Sequence, residues 1–87
     1  MNRIVRVTAR PEYIIELLFA DGTRGNVDLS ARLFGPVFEP LRDRLLFSQV
    51  RVDEHGAICW PNGADLAPDA LLRSILSQAE PRSVLTL

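Results

Sequence analysis

The run Tyr13-Ile14-Ile15-Glu16-Leu17-Leu18-Phe19 constrains the fold more than any other stretch of the chain. Its odd positions are all apolar or aromatic, and of its even positions only Glu16 is charged. Seven such residues are too few for a buried helix and suit a strand. A strand apolar on both faces is ordinarily covered on both, so this one is expected at the centre of a sheet. Asp21-Gly22 follows immediately and supplies the positive φ values of a tight hairpin turn.

The partners of this strand are legible on either side. In Arg3–Arg10, Val5, Val7 and Ala9 alternate with Arg6, Thr8 and Arg10 at a period of two, and Pro11 interrupts the ladder. Arg24–Leu29 returns from the turn with Val27 and Leu29 inward, completing an antiparallel three-stranded meander. The middle is irregular. Ser30–Phe34 is predicted to form a helical turn ended by Gly35, and Leu41–Leu45 a second. Leu33, Phe34, Val37, Phe38 and Leu41 make this stretch too apolar for a solvated loop, so it should pack over one face of the sheet.

A second hairpin is expected from Phe47–Asp53, a turn at Glu54-His55-Gly56, and Ala57–Trp60, with Pro61-Asn62-Gly63 stopping the return strand. Pro68 suits the first position of a helix, with Asp69 in its first turn. Leu71, Leu72, Ile75, Leu76 and Ala79 form one stripe at helical spacing. Pro81 should end this helix, placing it at about residues 68–79, with Ser83–Leu87 a last short strand or a loose tail. The class is α+β: a meander, a second hairpin, short helical turns and one C-terminal helix. At 87 residues this is a single domain spanning 1–87.

Composition excludes several functions. Net charge is −1, which gives no general attraction to nucleic acid or anionic lipid. The single Cys59 rules out an internal disulfide. Three arginines in Met1–Arg10 precede no apolar core of a signal peptide, and the longest apolar run is far too short to cross a bilayer. A cytoplasmic protein without membrane association is expected. All ten basic residues are arginine. A GC-rich genome explains that bias; so does selection for bidentate recognition of carboxylates or phosphates.

The candidate sites are few. His55 lies near Asp53 and Glu54, but side chains on one hairpin tip diverge, whereas a metal needs three or four converging ligands. Cys59 alternates with Ile58 and Trp60 in a strand, where a buried, inert thiol is the usual outcome, so a Cys59–His55 nucleophilic pair is not expected. Asp21 with Asp28, or Asp65 with Asp69, would need a cleft and displaced pKa values for acid–base work. No catalytic, metal-binding or cofactor-binding residues are assigned, and the chain is not expected to be an enzyme.

Two surfaces carry readings as interaction sites. In Trp60-Pro61-Asn62-Gly63-Ala64-Asp65-Leu66, the plainer account is structural: Trp60 plugs the core, Asn62-Gly63 turns the chain and Asp65 bonds to backbone. The alternative is a partner surface made by Trp60, Asn62 and Asp65, since aromatics are enriched at interface hot spots. Arg6, Arg10 and Arg24 form a possible stripe for nucleic acid. Glu16 partly cancels that stripe, and no stacking aromatic is interleaved with it.

End to end, the pattern resembles the bacterial family catalogued as domain of unknown function 2442. The likeness rests on Leu17-Leu18-Phe19-Ala20-Asp21-Gly22, Val27-Asp28-Leu29 and Gly35-Pro36-Val37-Phe38-Glu39-Pro40-Leu41-Arg42-Asp43. It continues through Phe47, Val50 and Val52 to Trp60-Pro61-Asn62-Gly63-Ala64-Asp65-Leu66-Ala67-Pro68-Asp69, covering about residues 4 to 72. The resemblance implies a small α+β domain built on hairpins. Similar domains are sometimes fused to a helix-turn-helix module or encoded beside another small protein, as in toxin–antitoxin pairs. Here only eight residues follow Ala79, too few for a DNA-reading helix pair. The resemblance carries no catalytic residues.

The leading expectation is therefore a non-catalytic protein-interaction or regulatory module, antitoxin-like, with a protein partner. The alternative is a small nucleic-acid binder using Arg6, Arg10 and Arg24. Exposed hairpin edges on so small a core also predict homodimerisation, aided by the apolar tail Val84-Leu85-Thr86-Leu87.

Overall fold

A computed structural model describes residues 2–85, with side chains through residue 77. β1 (Ile4–Arg10), β2 (Ile14–Phe19) and β3 (Arg24–Asp28) form an antiparallel sheet in the order β1-β2-β3. The apolar run is the central strand, as its pattern requires. Its register sorts the sheet into two faces. Val7, Leu17 and Gly25 stand in one inner row, and Ala9, Ile15 and Val27 in the next. The outer face carries three rows: Arg6–Leu18–Arg24, Thr8–Glu16–Asn26 and Arg10–Ile14–Asp28.

Double coverage does not follow. Ile15, Leu17 and Phe19 are buried, but Ile14 and Leu18 are only half-buried, and the polar residues around them are exposed. The outer face meets solvent. Its two apolar side chains are shielded by long neighbours across the strands, a role that arginine stems perform well.

Three local departures have identifiable causes. Val5 has no partner in β2, because the register steps from Ile4↔Phe19 to Arg6↔Leu18. This bulge puts Ile4 in the core and leaves Val5 52% exposed, reversing the alternation expected at the strand start. Tyr13 lies not in β2 but in a 3-10 turn, Pro11–Tyr13, in which Glu12 and Tyr13 have φ of 65° and 63°. In the β2–β3 turn only Gly22 is left-handed (φ 93°). Asp21 instead accepts a bond from the Thr23 N–H at 3.0 Å.

The middle stretch is a chain of short turns. A 3-10 turn spans Ser30–Arg32, α1 spans Gly35–Phe38, another 3-10 turn spans Glu39–Arg42 and α2 spans Arg44–Phe47. Gly35 opens α1 rather than closing the preceding turn, because Pro36 fits a first helical turn, where its missing N–H costs nothing. Phe47 is helical rather than extended. Asp43 caps α2 by accepting from the Leu45 N–H at 2.9 Å, and the Phe47 N–H bonds back to the Asp43 carbonyl at 2.9 Å. Leu33 and Leu41 are buried and Phe38 is half-buried, whereas Phe34 and Val37 are exposed. The apolar loop is thus covered on one side only.

The second hairpin is the larger part of another sheet. β4 (Arg51–Val52), β5 (Ile58–Cys59) and β6 (Asp65–Leu66) pair antiparallel in the order β4-β5-β6. A two-residue strand has no periodicity to read, so β6 is invisible in the sequence. The two sheets are tied through the start of β1. Ile4 N–H donates to the Gly56 carbonyl at 2.9 Å, and the Arg3 carbonyl accepts from Ala20 N–H at 2.8 Å.

α3 runs from Pro68 to Leu85, past the expected end near residue 79. Pro81 removes one backbone donor from the helix but does not stop it; an interior proline costs a hydrogen bond and a local clash without forbidding continuation. Residues 83–85 are therefore helical, while Thr86 and Leu87 lie outside the described residues, as do the side chains of Ala79, Val84 and Leu85. Of the helical stripe, Leu71 is buried, Leu72 and Ile75 are half-buried and Leu76 is 52% exposed. One buried cluster gathers residues from both sheets, the middle turns and α3, including Ile4, Phe19, Leu33, Leu41, Ile58, Trp60 and Leu71. Each large side chain so buried contributes about 1.5–3 kcal/mol.

Candidate functional site

The tryptophan segment is consumed by architecture. Trp60 is 2% exposed, and its Nε1–H donates to the Phe47 carbonyl at 3.0 Å. Its indole packs edge-on to Phe38 at 6.5 Å and tilted against Phe47 at 5.9 Å. Trp60 N–H donates to the Ala64 carbonyl at 2.9 Å, and Gly63 (φ 94°) closes the turn by donating to the Trp60 carbonyl at 3.1 Å. Asn62 fastens this turn to α1. Its Nδ2 donates to the Val37 carbonyl at 2.9 Å, while its Oδ1 accepts from Ala64 N–H at 3.2 Å. Asp65 is exposed on β6, opposite Cys59. Trp60, Asn62 and Asp65 thus sit in one neighbourhood, but the tryptophan faces inward.

Arg6, Arg10 and Arg24 share the outer face of the first sheet, as the strand phases require, and divide into two ends. Arg6 and Arg24 flank Leu18 in one row. With Thr8, Glu16 and Leu17 these three line a shallow depression of about 120 Å³. Arg10 stands at the other end, its Nη1 3.9 Å from Glu16 Oε1. The two groups of residues, one around Trp60 and one on this face, lie on different sheets.

Of the carboxylates weighed for pairing, Asp21 lies in the β2–β3 turn and Asp28 ends β3, while Asp65 is on β6 and Asp69 in the first turn of α3. Backbone N–H donors hold three carboxyls below the ordinary carboxylate range: Thr23 does so for Asp21, Ser30 for Asp28, and Ala57 then His55 for Asp53. Such donors favour the charged form. This is the opposite of what a general acid at neutral pH requires. His55 is exposed at its hairpin tip, with Nε2 3.9 Å from Glu54 Oε2, and Cys59 is half-buried in β5. Among the described residues, no group of three His, Cys, Asp or Glu could hold a metal ion. No helix among them is long and apolar enough to cross a membrane.

A family model described as protein of unknown function matches residues 4–77 of the chain. The chain belongs to DUF2442. The matched region contains both sheets, the tryptophan turn and α3 as far as residue 77, so DUF2442 spans every described element from β1 into the C-terminal helix. No curated protein and no solved structure matches the chain.

This DUF2442 domain has a further concavity that sequence reasoning missed. Between the Pro11–Tyr13 turn and α2 lies a cleft of about 380 Å³. Tyr13 and Phe47 form its apolar wall, their rings edge-to-face at 5.3 Å and 87°, and Arg10, Glu12, Arg44 and Ser48 surround them. Pro11 marked a break between strands, but nothing in Glu12 or Tyr13 signals left-handed backbone. The residues of the two walls are more than 30 positions apart, so no local motif could join them.

Proposed function

We propose that this DUF2442 domain is a non-catalytic protein-interaction module that presents the outer face of its first sheet to a protein partner. The observation that carries this reading is the row Arg6–Leu18–Arg24, in which two exposed guanidiniums bracket one half-buried leucine. An apolar centre with charged, hydrogen-bonding flanks is the anatomy of a protein contact, and arginine is enriched in such contacts. A regulatory, antitoxin-like role in the cytoplasm accords with it. A module that acts by occupying another protein's surface needs a contact face and no reactive group.

The test is capture from the native host with a tagged wild-type domain and with an Arg6→Glu, Arg24→Glu double variant. Both side chains are exposed, so the fold should be unaffected. A partner held by the wild type and lost from the variant supports the reading. Recovery of the wild-type domain alone, or equal retention by both, overturns it.

Nucleic acid is the second reading, favoured by three arginines on one face. Against it stand Glu16 in the middle row and the lack of any aromatic among the nine residues of that face. Single-strand binding ordinarily needs aromatic stacking platforms. Retention on RNA or DNA at low salt, lost in an Arg6→Ala, Arg10→Ala variant, would restore it.

A further inference from the structure

We propose that the cleft between the Pro11–Tyr13 turn and α2 binds a small organic anion, a carboxylate carried on an aromatic ring. The site stands apart from the Arg6–Leu18–Arg24 row and does not depend on the partner reading.

Three observations converge on it. The first is shape and lining. At about 380 Å³ the cleft falls within the range of small-molecule sites, roughly 300–1,000 Å³. Its base is aromatic, with Phe47 3% exposed and Tyr13 half-buried.

The second is charge. Arg10 at the end of β1 and Arg44 on α2 both line the cleft, so each side contributes one cationic residue. Arg44 makes no side-chain hydrogen bond or ion pair among the described residues. Among the described residues, the one ionic contact of Arg10, to Glu16, is 3.9 Å long, beyond hydrogen-bond reach. Both retain N–H donors for a planar carboxylate, which guanidinium matches in geometry. Glu12 is the one acidic residue of the lining, and Glu16 stands beside Arg10, so Arg44 is the cation of the lining with no acidic partner among the described residues.

The third is backbone strain. Glu12 and Tyr13 are consecutive left-handed residues without glycine, each unfavourable by about 1–2 kcal/mol. Left-handed non-glycine backbone persists only where its surroundings over-determine it, and it concentrates at ligand sites. Here the fixing contacts are the Leu29 N–H donating to the Tyr13 carbonyl at 2.9 Å and the Tyr13 hydroxyl donating to the Arg42 carbonyl. Together they hold the tyrosine ring as a cleft wall. A bare inorganic anion would leave that wall uncovered, whereas a ring bearing a carboxylate covers it while reaching the arginines.

The test is an amide-resolved NMR titration of the full chain with sodium benzoate, compared with benzamide and inorganic phosphate. Benzoate should give saturable shifts centred on residues 9–13 and 44–48. Its affinity should fall by about tenfold or more in an Arg10→Gln, Arg44→Gln variant, and benzamide should bind the wild type about tenfold more weakly, as loss of charge-assisted hydrogen bonds predicts. Arg44→Gln alone, which leaves the Arg10–Glu16 contact intact, should weaken benzoate in the same direction. Absent or unsaturable shifts, shifts centred elsewhere, unchanged affinity in both variants, or phosphate binding as well as benzoate would each overturn the proposal.

Discussion

Gly25 on β3 and Ile75 on α3 meet so closely that a Cβ added to the glycine would lie 2.7 Å from Ile75 Cγ2 and 2.8 Å from its Cγ1 and Cδ1. Gly25 belongs to the inner row with Val7 and Leu17, so its missing side chain is the notch into which the helix settles. Arg32 Nη2, donating to Ser74 Oγ at 3.2 Å, fixes the neighbouring turn of the same helix.

Gly25→Ala should therefore lift α3 from the sheet. Ile75 is β-branched and has little rotamer freedom in a helix, so the expected loss is about 1–3 kcal/mol, as for overpacked cores. Ile75→Ala in the same chain should recover part of it. A double-mutant cycle by urea unfolding reads the coupling directly, and strictly additive effects would contradict this contact.

Trp60→Phe should lower stability by about 1–3 kcal/mol, because it removes the donor to the Phe47 carbonyl and leaves a small void. Asn62→Ala should cost about 1 kcal/mol by releasing the Val37 and Ala64 backbone groups. Circular dichroism during denaturation measures both. Unchanged stability in Asn62→Ala would argue that this side chain is kept for a partner instead.

Acid should weaken the fold through its turns. Backbone N–H donors hold the carboxyls of Asp21, Asp28 and Asp53 below the ordinary carboxylate range in the folded state. Each therefore contributes stability above its unfolded-state pKa, and that contribution is lost as pH falls through the lower folded-state value. Urea midpoints should be steady above about pH 5 and decline below about pH 4. Asp53→Asn, which keeps an acceptor oxygen but cannot titrate, should show a shallower decline. An identical decline in the variant would remove Asp53 from the explanation.

Glu12→Gly should stabilise the chain by up to about 1 kcal/mol, since glycine occupies left-handed backbone without the Cβ penalty, less its extra entropy when unfolded. A thermal melt decides the sign. Clear destabilisation would mean that the glutamate side chain, not backbone strain, dominates this turn.

What the sequence by itself determined was whatever rests on neighbours along the chain. The double-faced apolar run made β2 central, alternation placed Arg6, Arg10 and Arg24 on one face, and Pro68 with the stripe after it announced α3. Leu71 and Ile75 pack as that stripe requires, yet Leu76 does not, because the stripe is wider than the surface it meets. Tertiary structure alone decided the rest. The bulge at Val5 follows from Ile4 bonding to Gly56 across more than 50 positions. The third strand of the second sheet exists only because Cys59 and Ile58 offer Asp65 and Leu66 a ladder. The left-handed turn at Glu12-Tyr13, and with it the cleft against Arg44 and Phe47, is held by bonds to Leu29 and Arg42. Local propensity is a matter of about 1 kcal/mol or less per residue, and distant contacts of that size or larger override it.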